Sequence, residues 1–397
     1  MLSTRKRRRD KVRRIDVPCP HYPRCDGCPW VDQPYPQQLL RKRERVIEAF
    51  RRYAQLADIA VPPVVPSPRL FGYRGRVKLV LRKTRDAVMA GLYVPGSHRV
   101  VDIASCPLHP KPVNSVVQYL KRKFADDSIP IYDERNDTGA LRYLDLRYSF
   151  TQEQLLVTLI TRHRELAGAA ALARSVSSRF PFVAGVIQNV NETRGNIIWG
   201  SEFRILIGRD RLIENLAGVK LTYPAETFSQ ANPFTAARVY ETVKRLAVLT
   251  GRENVLDLYC GVGPIALMLA KRARFVFGAD DLAAAIAAAT ENARSNGLVN
   301  AEFLAMDAAA AVTAAIRKRY LDLITMNPPR KGIQPPAMAA IVGANAPRLI
   351  YVSCDPLTLA RDLRQLTEAG YHIAEVQPFD MFPHTQEVET LVLLTKN

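Results

Sequence analysis

The sequence predicts an α/β protein in two parts, a β-rich region through residue 224 and a Rossmann-like region over 225–397. Three observations lead there. Short strand-length runs, several alternating apolar with polar, crowd the first part. From about residue 225 strand-like and helix-like runs alternate, the pattern of a parallel sheet covered on both faces. The first strand-to-helix turn of that second part reads Asp-Leu-Tyr-Cys-Gly-Val-Gly-Pro, a glycine turn placed where ligands bind such sheets, at the carboxyl ends of the strands. With 397 residues and 48% apolar content the chain can build both cores.

Residues 1–16 read as a basic, unstructured tail: the first fourteen hold eight Lys or Arg and one Asp. With a net charge of +18, the tail points to a polyanionic partner, nucleic acid by default. No apolar run is long enough to span a bilayer, and no apolar stretch follows the basic start as in a signal peptide. A cytoplasmic monomer without membrane contact is expected. Of six cysteines, three lie between Cys19 and Cys28, one is Cys106, and Cys260 and Cys354 fall in the second part. Without a secretion signal these read as reduced thiols, ligands or nucleophiles rather than disulfides.

Residues 37–56, QQLLRKRERVIEAFRRYAQL, carry apolar positions at helical spacing and a basic outer face, and this helix is placed to pack on the second region. Strand-like runs follow: YRGRVKLVLR, AVMAGLYV, RYLDLRY, LLVTLITR, AGVIQNV, NIIWG, FRILIG and KLTYP. Turn signals at Pro95-Gly96 and Arg194-Gly195 separate some of them, and the whole reads as an antiparallel sheet with a few helices. In the second part NVLDLY, RFVFGA, AEFLAM, LDLITM and RLIYVS read as strands, and IALMLAKRA and LAAAIAAATENARSN as helices, the latter closed by Gly297.

Gly261 and Gly263 let the backbone turn tightly and approach a ligand. Pro264 suits the first turn of the following helix. Asp280 ends the second strand and can accept from ribose hydroxyls, and Asp307, after the third, can face an adenine amino group. A glycine loop followed by two acids on successive strand ends is the order expected for S-adenosylmethionine, although Gly-x-Gly also suits a dinucleotide and each acid alone also suits a helix cap.

The fourth strand ends in Met-Asn-Pro-Pro-Arg-Lys-Gly, where Arg330 and Lys331 stand in place of an aromatic stacking platform. The fifth ends at Cys354, followed by a helix. Glu387 and Glu389 precede the last apolar run, LVLL. A thiol and a carboxylate beside a methyl donor suggest methylation of uracil C5. The thiolate adds to C6, C5 takes the methyl group, and the carboxylate removes the C5 proton.

Together these residues resemble the RNA (uracil-5-)-methyltransferases over nearly the whole chain after the tail. The motifs that carry the likeness are Phe-Ser-Gln-Ala-Asn-Pro at 228–233, the glycine loop, Asn-Pro-Pro-Arg-Lys-Gly-Ile, Ser-Cys-Asp-Pro and Phe-Pro-His-Thr-Gln-Glu-Val-Glu. The resemblance implies a class I methyltransferase domain with Gln230, Tyr259, Asp280 and Asn327 at the cofactor, Cys354 as nucleophile and Glu389 as base. Asn327 stands where many members carry Asp and looks most like the branch acting on uridine 747 of 23S rRNA. Glu387 stands where His is frequent. A tRNA enzyme of the same chemistry, and a catalytically silent RNA-binding iron–sulfur protein, are the rival readings.

Cys19, Cys25 and Cys28, spaced C-x5-C-x2-C, with Cys106 as a fourth ligand, suit zinc or an iron–sulfur cluster by chemistry alone. The resemblance favours a [4Fe-4S] cluster within the β-rich, RNA-binding region 17–224. Members of the family often carry a small β-barrel at the N-terminus. Here the cysteines come almost at once, so the tail and the central sheet are expected to supply RNA affinity.

Overall fold

The computed structural model describes residues 17–85, 87–94, 96–195 and 197–396. The basic tail at 1–16 and the turn residue Pro95 lie outside the described residues. After the cysteine loop comes α1 (Tyr35–Phe50), which opens on Tyr35-Pro36 and stops six residues short of 56. Its Val46, Ala49 and Phe50 are buried against the second region, with Leu359 and Leu363 of a later helix. Burial of a side chain the size of Phe50 contributes roughly 1.5–3 kcal/mol.

The central sheet is built from β1 (Arg76–Lys83), β2 (Val88–Tyr93), β3 (Val100–Asp102), β4 (Leu141–Ser149), β5 (Gln154–Thr161), β6 (Val183–Val190) and β7 (Glu202–Gly208), in the order β3-β2-β1-β4-β5-β6-β7. Helices α2 (Lys111–Asp126) and α3 (Ala169–Arg179) cover one face. The strands alternate accordingly: Val77, Leu79 and Leu81 of β1 meet Val113, Val117 and Leu120 of α2 in one cluster. The sheet is not purely antiparallel. β5 and β6 pair in parallel, because α3 crosses over between them and brings the chain back in the same direction. The run at 196–200 reads as a strand in sequence, but residues 197–200 form none and β7 begins at Glu202. Side-chain amides take the place of a ladder there: Asn191 donates to the carbonyls of Ile197 and Ile198, and Asn189 bonds both the N–H and the carbonyl of Gly200.

A hairpin, β8 (Arg211–Leu216) and β9 (Val219–Pro224), ends the first region, yet its Leu216, Val219, Leu221 and Tyr223 are buried in a core of the second.

The second region holds β10 (Asn254–Leu258), β11 (Phe275–Asp280), β12 (Ala301–Ala305), β13 (Leu323–Met326), β14 (Arg348–Ser353), β15 (His372–Phe379) and β16 (Glu389–Thr395), in the order β12-β11-β10-β13-β14-β16-β15. Helices α4 (Pro233–Ala247), α5 (Pro264–Ala270), α6 (Ala283–Ser295), α7 (Ala308–Lys318), α8 (Pro335–Ala344) and α9 (Pro356–Glu368) pack on its two faces. Every residue of β10 and β13 is buried, as expected of central strands covered on both faces, and the polar Asp257 and Thr325 within them bond each other. The sheet is mixed rather than all parallel: β16 pairs antiparallel with both β14 and β15. No helix separates β15 from β16, so the chain returns antiparallel through the loop 380–388. The strand order reverses between β11-β10 and β13, which opens a crevice at the carboxyl ends of β10 and β13.

Candidate active site

The crevice is shaped by the turn after β10. Tyr259, Gly261 and Gly263 all have left-handed φ, 59°, 56° and 87°. Tyr259 has no glycine's freedom, and Asp257 just before it holds the turn: it accepts from the Thr325 hydroxyl at 2.6 Å and from the Ala266 N–H at 3.0 Å. Burial pushes the Asp257 carboxyl up to about 7 against those two donors. A Cβ on Gly263 would sit 3.2 Å from the Phe303 ring, and one on Gly278 of β11 only 2.6 Å, so Phe303 locks the loop against its neighbours.

Asp280, at the end of β11, accepts from the Gly261 N–H at 2.9 Å and the Leu282 N–H at 3.0 Å. Burial is the main cause that raises its pKa, and a carboxylate has room for further donors. Asp307 stands two residues past β12 and caps α7, where Oδ1 alone accepts from Ala309 and Ala310 at 2.9 and 3.0 Å. Its charge adds to the upward push on the Tyr259 hydroxyl, after burial, Asp362 and Asp281. Asn327 follows β13 directly, and its N–H bonds the Leu258 carbonyl at the foot of the turn. Gln230 bonds the Tyr240 hydroxyl on α4.

The second cluster forms where β14 and β16 meet. Ser353 pairs with Thr390, so the next pair in register is Cys354 and Glu389. The turn around the thiol is held by its neighbours. The Asp355 side chain caps α9 through Leu357 and Thr358 at 2.9 and 3.0 Å, and the Ser353 hydroxyl accepts from the Asp355 N–H. Cys354 itself is half-buried and has no part in the cap. Arg330 reaches over from the turn after β13, pairs with Glu387 at 3.0 Å and donates to the Cys354 sulfur. Burial pushes the thiol up to about 11, the Glu389 charge adds to this and Arg330 opposes it. Burial likewise pushes Glu389 up to about 7, with Arg330 opposing and Glu387 adding. Glu389 also acts on Tyr240, which ties this cluster to Gln230.

The N-terminal cysteines converge too. Cys19, Cys25, Cys28 and Cys106 are all free thiols and line one pocket beside His21 and His109. Burial raises the thiol of Cys28 to about 12 and that of Cys106 to about 11, and the neighbouring cysteines push in the same direction. Backbone N–H groups point at sulfur: Gly27 to Cys25 at 3.4 Å, and Leu108 and His109 to Cys106. Among the described residues no group of three or more His, Cys, Asp or Glu is placed to hold a single metal ion.

Several site-shaping residues escape a sequence reading. Lys42 looks like one more charge of the basic α1, but it is fully buried, paired with Asp380 and donating to the Phe382 carbonyl at 2.9 Å. Tyr35 donates to the same Asp380 at 2.7 Å. Trp30, two residues after Cys28, donates its N–H to the His384 carbonyl at 3.0 Å, and Gln38 braces both residues. The loop 380–388, which delivers Glu387 and Glu389, thus rests on the segment that carries the cysteines. Cys260 is buried next to the glycine loop and joins neither thiol cluster.

A sheet in this strand order, with a glycine turn at its switch point, is the class I methyltransferase fold. Residues 34–397 match the family model described as tRNA (uracil-5-)-methyltransferase, and the chain belongs to that RNA (uracil-5-)-methyltransferase family. It is therefore an enzyme of the S-adenosylmethionine-dependent kind. A protein of Geobacter sulfurreducens named an uncharacterized RNA methyltransferase is 39% identical over 387 residues, which cover 97% of this chain and 78% of the relative. A relative of the same name in Halalkalibacterium halodurans is 37% identical, covering 99% and 85%. The crystal structure of Pyrococcus abyssi tRNA (uracil-54, C5)-methyltransferase, in complex with S-adenosyl-L-homocysteine, is similar with a TM-score of 0.78 and 29% identity, over 94% of this chain and 85% of that one. No helix among the described residues is long and apolar enough to cross a membrane.

Proposed function

We propose that the chain methylates C5 of a uridine in RNA, giving 5-methyluridine, through a transient bond between the Cys354 sulfur and C6 of the base. The observation that carries this reading is the register of β14 on β16. It sets a thiol and a carboxylate at one end of adjacent strands, with a guanidinium touching the sulfur. Uracil C5 is a poor nucleophile on its own. Addition of the Cys354 thiolate to C6 moves the C5–C6 π electrons onto C5 and the C4 carbonyl, and C5 then takes the methyl group. Glu389 removes the C5 proton, the C–H electrons restore the double bond, and the thiolate leaves. Arg330 favours the thiolate that this addition needs. C6 is out of reach within a base stack, so the target is an unpaired or flipped uridine.

S-adenosylmethionine supplies the methyl group from its sulfonium. Its binding falls to the crevice residues Gln230, Tyr259, Gly261, Gly263, Asp280, Asp307 and Asn327. The fit is supported by Asp280, whose backbone partners leave acceptor capacity for hydroxyls, and by a glycine turn that keeps side chains out of the way. Asp307 has a second oxygen beyond the one that caps α7.

Cys19, Cys25, Cys28 and Cys106 are proposed to hold a [4Fe-4S] cluster. Four thiols share a pocket, and N–H groups aimed at two of the sulfurs suit thiolate ligands. Zinc held by the same four thiolates is the alternative. Iron and acid-labile sulfide in equal amounts in protein purified without oxygen, lost in Cys28→Ser, are expected; zinc in their place would overturn the assignment.

The preferred substrate is 23S rRNA, supported by Asn327 ahead of Pro-Pro-Arg-Lys-Gly-Ile. The second reading, tRNA, is favoured by the likeness to the Pyrococcus abyssi enzyme. The protein is proposed to act as a cytoplasmic monomer. RNA carrying 5-fluorouridine tests the chemistry, because fluorine cannot leave C5 as a proton does. A denaturation-stable RNA–protein adduct is expected for the native protein and none for Cys354→Ala. Methylation of purified 23S rRNA fragments against tRNA separates the substrates.

A further inference from the structure

The central sheet has a second face. On β1 the residues that alternate with the helix-facing Val77 and Leu79 are Arg76 and Lys78, and register sets Tyr143 of β4 opposite Val80. With Arg74 and Tyr93, these residues line a groove of about 810 Å³. Gln230 and Phe382 also line the groove, and Gln230 bonds Tyr240, on which Glu389 also acts. Among the described residues that line it there is no carboxylate.

The cations in the groove are held in place. Arg76 pairs with Asp145 at 3.2 Å and donates to the Thr227 carbonyl. Its guanidinium carbon and the Lys78 ammonium stand 5.5 and 5.2 Å from the Trp199 ring centre, and Trp199 is backed by Phe203. Burial, followed by repulsion from Arg76, lowers the pKa of Lys78, with Asp145 opposing and Arg147 and Arg74 adding to the repulsion. An anion in the groove relieves that repulsion, and a run of regularly spaced phosphates matches the line of Arg74, Arg76 and Lys78.

We propose that this groove carries the single-stranded RNA next to the target nucleotide, with its phosphates on Arg74, Arg76 and Lys78 and its bases against Tyr93 and Tyr143. The combination of a basic track with aromatic rings is that of a single-strand binding surface. The proposal rests on the reading of the substrate as RNA, but not on the chemistry at uracil.

Fluorescence anisotropy of a labelled, unstructured oligoadenylate tests it, since this probe contains no uridine. Lys78→Ala is expected to weaken binding and to reduce the slope of log affinity against log salt by about one. Tyr143→Leu is expected to weaken binding about tenfold with the slope unchanged. Cys354→Ala should bind this probe as the native protein does, so a failure of the methylation chemistry leaves the result standing. Native affinity in both groove variants would overturn the proposal. So would competition by oligoglutamate at equal charge with no effect of Tyr143→Leu, which would mark an acidic protein partner. Photocrosslinking of 4-thiouridine RNA to the native protein provides a measurement free of variant folding. Adducts on the peptides of β1, β2 or β4 support the groove, and adducts confined to other peptides refute it.

Discussion

Arg330 donates to the Cys354 sulfur while its guanidinium lies 3.0 Å from a carboxylate oxygen of Glu387. One cation is therefore shared between the thiol and an acid that takes no part in the proposed bond-making. Arg330 is two-thirds exposed, so the ion pair itself contributes about 0–1 kcal/mol to stability. Its consequence is electrostatic.

Glu387→Gln removes a negative charge that raises Glu389 and frees Arg330 for the thiol. Both changes favour ionised forms. The acid limb of the pH–rate profile, set by Glu389 near 7 in the native chain, is expected to move to lower pH, and Cys354 to react faster with iodoacetamide at a fixed neutral pH. An unmoved acid limb together with native alkylation rates would show that Glu387 does not act on the pair.

As the proposed base, Glu389 must be ionised to take the C5 proton, and burial holds it near 7. Turnover is therefore expected to rise with pH through about 7 as the carboxyl loses its proton. Glu389→Gln keeps the shape of the side chain and removes the base. The adduct should still form and the methyl group still transfer, but release should slow by about 10²–10⁴-fold, leaving methylated RNA bound to the protein on a denaturing gel. Free methylated product at the native rate would assign the proton to another group.

The parts of this site that were legible in the sequence are those where local chemistry and a strand end coincide. The Gly261–Gly263 turn, Asp280 and Cys354 all lie at or just past the carboxyl end of a parallel strand, and such ends gather on one side of the sheet. The pairing of Cys354 with Glu389 was less visible, because it depends on β16 running antiparallel between β14 and β15, and alternation of strands and helices gives no sign of that reversal. Asp257 and Lys42 were illegible for another reason. Each is a charged residue whose partner lies far along the chain, Thr325 for one and Asp380 for the other, and nothing local names that partner. Helical spacing from Val46 and Ala49 does put Lys42 on the buried face of α1, but it gives no sign that a carboxylate waits there.

Phe303 leads to a prediction about the cofactor loop. In Gly278→Ala the new methyl would meet the Phe303 ring at 2.6 Å, and the ring itself lies against Gly263. Overpacking of this kind costs about 1–3 kcal/mol. Calorimetric titration with S-adenosyl-L-homocysteine should show weaker binding, because the displaced ring pushes on the turn that carries Gly261 and Gly263. Phe303→Leu in the same chain makes room and is expected to restore part of both stability and affinity. Independent, additive losses in the double variant would disprove the coupling.

The Lys42–Asp380 pair joins α1 to the loop that leads into the proposed base at the start of β16, and neither side chain reaches solvent. Burial lowers the pKa of Lys42, and the charge of Asp380 opposes this. Lys42→Met leaves Asp380 buried with only the Tyr35 hydroxyl and weaker dipoles around it, so unfolding in urea should show a loss of about 3–5 kcal/mol. Replacing both residues, Lys42→Met with Asp380→Leu, removes the stranded charge and should recover much of that loss. Stability restored in this way need not restore catalysis, because Lys42 also fixes the Phe382 carbonyl and through it the approach to Glu387 and Glu389. The double variant is therefore expected to fold well and to turn over slowly, with adduct formation on 5-fluorouridine RNA less affected than product release. Equal losses in both steps would mean that the buried pair supports the whole domain rather than the position of the base.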